Sequence, residues 1–148
     1  MSRPLVVMRE KVRAPGMEEI RGEVAEIVSL LDRYLDHYVP RQPVFSKHSL
    51  LGPVGKLLGV LESGKLYDKE AIVGYVISVH RNTARSDYIS PEALAVLEEA
   101  VEKLLALRSR LPSRVWIRVL REIDYAVYKA RFKKAVERAS SKKEGGEQ

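Results

Sequence analysis

Cysteine is absent from this chain of 148 residues. That absence excludes a disulfide framework, a thiolate-held metal and a cysteine nucleophile. It fits a reducing compartment, and a cytoplasmic location is expected. Amide side chains are nearly absent too: Asn82 is the only asparagine, and Gln42 and Gln148 are the only glutamines. Few thermolabile residues beside many Arg and Glu is a composition expected of a hot-living organism. Long apolar runs are also missing. The longest stretches, 50–61 and 71–79, fall short of the roughly 18 residues a membrane span needs, and the first is interrupted by Lys56. The apolar patch at 5–8 is too short for a signal-peptide core, so no membrane partner is expected.

Motifs that carry chemistry are lacking as well. Gly55 and Lys56 are followed by Leu57 where a phosphate loop needs Ser or Thr, and neither Gly-x-Gly-x-x-Gly nor Gly-x-Ser-x-Gly occurs. Gly52, Gly55 and Gly59 are therefore expected to serve close helix packing. His37, His48 and His80 form no metal-ligand spacing, even with Asp32 and Asp36 near His37. The carboxylate pairs Glu18/Glu19 and Glu98/Glu99 sit among basic residues, with nothing to isolate one of each pair as acid/base catalysis needs. A non-catalytic protein with no cofactor and no metal is expected.

What is present is ordinary globular material: hydrophobic residues make up 45% and charged residues 31%, in a chain of single-domain length. Net charge is +6. It is unevenly spread. Residues 112–148 carry ten Lys and Arg against five Asp and Glu, while 16–40 are acidic. One positive face would favour a polyanion or an acidic partner surface; a solvated basic surface is the alternative.

Apolar spacing predicts about five helices. The first covers 17–38, with Ile20, Val24, Ile27, Leu31, Tyr34 and Tyr38 on one face, and stops before Pro40. The second covers 50–61, capped by Ser49, with Pro53 in its first turn. The third covers 68–82 from an Asp68 cap; its β-branched segment 71–80 leaves a buried strand as the alternative. The fourth covers 91–111, opened by Ser90 and Pro91. The fifth covers 114–139, capped by Ser113 after Pro112. The expected fold is all-α: a compact helical bundle over 16–139, with an N-terminal arm at 1–15 and a disordered tail at 140–148.

The fifth helix has two faces. At about 100° per residue, Trp116, Val119, Leu120, Ile123, Val127 and Ala130 form a core seam, which is expected to end near Ala130. Opposite lie Arg114, Arg118, Arg121, Tyr125, Lys129 and Phe132, with Tyr128 close by and Lys133 at the edge. The cations could contact successive phosphates, and the aromatic rings could stack on unpaired bases. The polar turn holding Arg81 and Arg85 could extend that surface. The expectation is binding of single-stranded or structured RNA or DNA with weak sequence preference. The alternative is a helical interaction or scaffold subunit, or a homo-oligomer, whose face docks on protein. Burial of Tyr125, Tyr128 and Phe132 would exclude base stacking; exposure would leave both readings open.

The stretches 89–94 (ISPEAL) and 122–129 (EIDYAVYK) are similar in style to the small helical subunits of prokaryotic CRISPR effector complexes. The resemblance rests on no diagnostic motif. It implies that a chain of this kind can act as a complex subunit lining a nucleic-acid path.

Overall fold

The computed structural model describes residues 17–44 and 46–146; the expected arm at 1–15 lies outside them. The described residues form six α-helices: α1 (Met17–Asp36), α2 (Lys47–Leu51), α3 (Pro53–Ser63), α4 (Lys69–Thr83), α5 (Pro91–Arg110) and α6 (Ser113–Gly146). The fold is the expected all-α bundle.

The amphipathic pattern of α1 buries Ile20, Ile27, Leu31, Tyr34 and Leu35 against α5 and α6. Glu18 and Glu19 complement the positive end of its dipole. The segment 71–80 is helical. Asp68 caps α4 by accepting a hydrogen bond from the Ala71 N–H at 3.1 Å, and Ile72, Val73, Val76 and His80 go into the core. Here burial of one helical face outweighs the β-branched content. Ser90 caps α5 in the same way, and Pro91 begins the helix at a position whose N–H has no partner in any case.

The expected helix at 50–61 is instead two helices. Gly52 breaks it at φ +49°, and a Cβ there would stand 2.6 Å from the Tyr38 ring. Tyr38 approaches so closely that only glycine fits the corner. The cap is Ser46 rather than Ser49: its Oγ accepts from the Ser49 N–H. The backbone of α6 continues helical into 140–148, where a disordered tail is expected; the last two of those residues lie outside the described ones.

The chain after α1 is pinned to the end of α4. Arg41 N–H donates to the Thr83 carbonyl at 2.8 Å and Arg85 N–H to the Val39 carbonyl at 3.0 Å. The Tyr38 hydroxyl adds a bond to the Thr83 carbonyl. Beneath this clasp, the Nδ1 of buried His80 is hydrogen-bonded to the Tyr34 hydroxyl at 2.5 Å, with the Tyr38 ring edge-on at 5.1 Å. Burial, then the charges of Arg81 and His37, lower the pKa of His80, so its neutral form is favoured. In the tautomer protonated on Nε2, the neutral Nδ1 accepts a hydrogen bond from the Tyr34 hydroxyl.

Candidate nucleic-acid interface

Packing of α6 follows its two-faced pattern. Trp116, Val119, Leu120, Ile123 and Val127 are buried against α1 and the α2–α3 pair. Arg114, Arg118, Arg121, Tyr125, Lys129, Phe132 and Lys133 lie on the opposite side. Tyr125 is 58% exposed and Phe132 44%, whereas Tyr128 is half-buried against the core. Two of the three aromatic rings are therefore open to a ligand. Tyr128 backs the patch, its ring centroid 6.1 Å from that of Phe132.

The cations on this face are not equivalent. Arg114, Arg118, Lys129 and Lys133 form no ion pair among the described residues, although Glu122 shares the face. Arg121 donates from Nε to Glu62 of α3 at 3.1 Å. Lys129 places its ammonium 4.8 Å from the Tyr125 ring centroid, a cation–π contact that holds the ring and a charge together. Such a pair can meet a base and its neighbouring phosphate at once.

The apolar seam ends at Val127, but burial continues to Arg131, beyond the expected limit near Ala130. Arg131 and Lys134 face α1 and bind Asp32 and Asp36 there. They stabilise the fold and are not available to phosphates. The same pairing occupies the two carboxylates beside His37.

Arg81 and Arg85 are exposed. They sit at the clasped end of α4 and line none of the grooves described below. One groove, about 430 Å³, lies between Val39, Val44 and the Arg138 end of α6, and shares no residue with the exposed stripe. A second, about 390 Å³, runs beside the stripe and is lined by Arg121 and Tyr125 from α6 and by Gly55, Gly59 and Glu62 from α3. Gly59 does not serve the close packing that the glycine spacing suggests, since a Cβ on it would meet nothing within 4 Å.

No protein-family model, curated protein or solved structure matches this chain. Its function is to be sought in the chemistry of the site.

Proposed function

We propose that this protein is a non-catalytic binder of single-stranded or structured nucleic acid, acting through the exposed face of α6. Arg114, Arg118, Lys129 and Lys133 contact phosphates, and Tyr125 and Phe132 stack on unpaired bases. Arg121 joins them when a phosphate displaces Glu62. The observation that carries this reading is the exposure of Tyr125 and Phe132, 58% and 44%, among Arg114, Arg118, Lys129 and Lys133, which have no ion-pair partner within the described residues. Two exposed rings on one helix face, backed by the half-buried Tyr128, present apolar faces that a stacking partner would cover. The cations around them favour a polyanionic one.

The test is fluorescence anisotropy of labelled single-stranded DNA, single-stranded RNA and duplex over a salt series. Wild type should bind single strands in a steeply salt-dependent way. Arg118→Glu with Arg121→Glu should weaken all sequences alike and flatten the dependence of log K on log salt, by about 0.7 for each phosphate no longer neutralised. Equal affinity and slope in wild type and variant would overturn the assignment. No binding at low salt would transfer the face to an acidic protein partner.

A further inference from the structure

The α6 stripe does not stop at its own helix. The groove beside Arg121 and Tyr125 shares Lys47, Gly55, Gly59 and Asp124 with a neighbouring trough of about 480 Å³ on the other side of α3. The trough exists because α3 presents glycine where other helices present side chains. Gly59 opens to empty space, and Gly55 is limited only by the Leu51 side chain, 3.3 Å from where its Cβ would stand.

The walls of the trough are cationic. Lys47, Lys56 and Lys65 line it along with His48, and its one acidic wall residue, Asp124, is held by Lys47. Lys56 and Lys65 have no ion-pair partner among the described residues. In the adjoining groove Glu62 is likewise held by Arg121. Each acid lining the trough and the groove is thus paired with a cation, and two lysines are left over. Aromatic rings stand at both ends: Tyr125 at the α6 side, and Tyr75 of α4, 36% exposed, at the far side.

We infer that the trough over α3 is a second segment of the binding path, taking the sugar–phosphate backbone of a single strand that continues from the α6 stripe. This rests on the nucleic-acid reading of α6 and extends it. Lys56 and Lys65 hold phosphates, and the bare α3 surface at Gly59 lets the backbone approach the helix closely. Tyr75 stacks on a base as the strand leaves. Only a single strand has unpaired bases for Tyr125 and Tyr75 to stack on, so single strands should be preferred.

The test compares full-length variants on labelled single-stranded oligonucleotides, one short enough to cover only α6 and one long enough to cross α3. Gly59→Leu fills the trough without a clash at its Cβ, and Gly59→Ala is the control that leaves it open. On the long oligonucleotide, Gly59→Leu and the pair Lys56→Glu, Lys65→Glu should each bind roughly tenfold more weakly than wild type, while Gly59→Ala binds normally. On the short one the Lys56→Glu, Lys65→Glu pair should match wild type, since neither lysine lines the groove beside Arg121 and Tyr125. Photo-crosslinking of a 5-iodouracil oligonucleotide should label Tyr75 on the long strand only. Wild-type affinity in the trough variants on the long strand, with Arg118→Glu still impaired, would overturn the α3 path and leave the α6 assignment standing. No binding by wild type would overturn both.

Discussion

The guanidinium of Arg131 on α6 bridges Asp32 and Asp36, one turn apart on α1, at 2.9 and 2.6 Å. It also donates to the backbone carbonyl of Asp32 at 3.1 Å, and Lys134 reinforces the pair from the solvent side. Arg131 is 8% exposed, so the bridge lies at the edge of the core. Removing the arginine would leave Asp32 and Asp36 to the partly exposed Lys134 alone and take away the buried member of the network. Arg131→Met should therefore destabilise the fold by about 2–4 kcal/mol, somewhat below a fully buried pair because Asp36 is partly exposed. Urea unfolding monitored by Trp116 fluorescence would show it. A change under about 0.5 kcal/mol would mean that the bridge is marginal.

The same bridge makes stability depend on acid pH. Burial alone would raise the pKa of Asp36, but the hydrogen bond and charge of Arg131, followed by Lys134, outweigh it and hold the carboxyl below its ordinary value. The contribution is then present above the unfolded carboxylate value of about 4 and is lost as pH falls through the lower folded value. Asp36→Asn should lower stability at neutral pH and flatten the acid limb of the stability profile, measured by urea unfolding across a pH series.

His80 acts near neutrality. Its pKa is lowered in the fold, so the unfolded chain binds the proton more readily. Stability should be level above about pH 6.5 and should fall as pH drops below it, until the folded value is passed. In His80→Gln this step should vanish from a denaturation series run at several pH values, although the variant is less stable throughout. Persistence of the step would place its origin elsewhere.

Two glycines of the α2–α3 region should respond oppositely to alanine. Gly52→Ala meets Tyr38 and a left-handed φ, and should cost about 1–3 kcal/mol. Gly59→Ala adds helix propensity in open space and should stabilise by roughly 0.5–1 kcal/mol. Melting temperatures of the two variants would decide.

Glu62 competes with phosphate for Arg121. The pair is exposed, so Glu62→Gln should change stability by less than about 1 kcal/mol. It should nevertheless tighten single-strand binding a few-fold and steepen the salt dependence, because a cation is released. Tyr125→Ala should weaken binding by about 1–3 kcal/mol while Tyr125→Phe retains it, since stacking needs the ring and not the hydroxyl. Anisotropy titrations would resolve both.

Much of the candidate site is legible in the sequence. A 100° step along 114–133 separates the buried seam from the face carrying Arg118, Tyr125 and Phe132; the exposed face lies where that step puts it, and the apolar seam does so as far as Val127, with Ala130 only half-buried. Of Arg81 and Arg85 the sequence shows only that they are basic and in a turn; that neither lines a groove with the α6 stripe is a matter of how α4 packs. Lys56, Lys65 and Tyr75 cannot be grouped from the sequence, because they lie on different parts of the chain with no shared period. The glycines around Lys56 are the one available signal.

The starts of these helices need only local order. Apolar spacing, the caps at Asp68 and Ser90, and Pro91 act within a turn or two, so nearby residues mark where α4 and α5 begin, although burial of one face is what keeps the β-branched segment of α4 helical. The break at Gly52, the burial of Arg131 and the opening of Gly59 into a groove come instead from the packing of helices on one another. Each depends on a side chain that approaches from a remote part of the chain, or on the lack of one. Tyr38 crowds Gly52, the α1 aspartates draw Arg131 inward, and nothing covers Gly59. Periodicity tells which way a residue points from its own helix, but what it meets there is set by where the other helices lie.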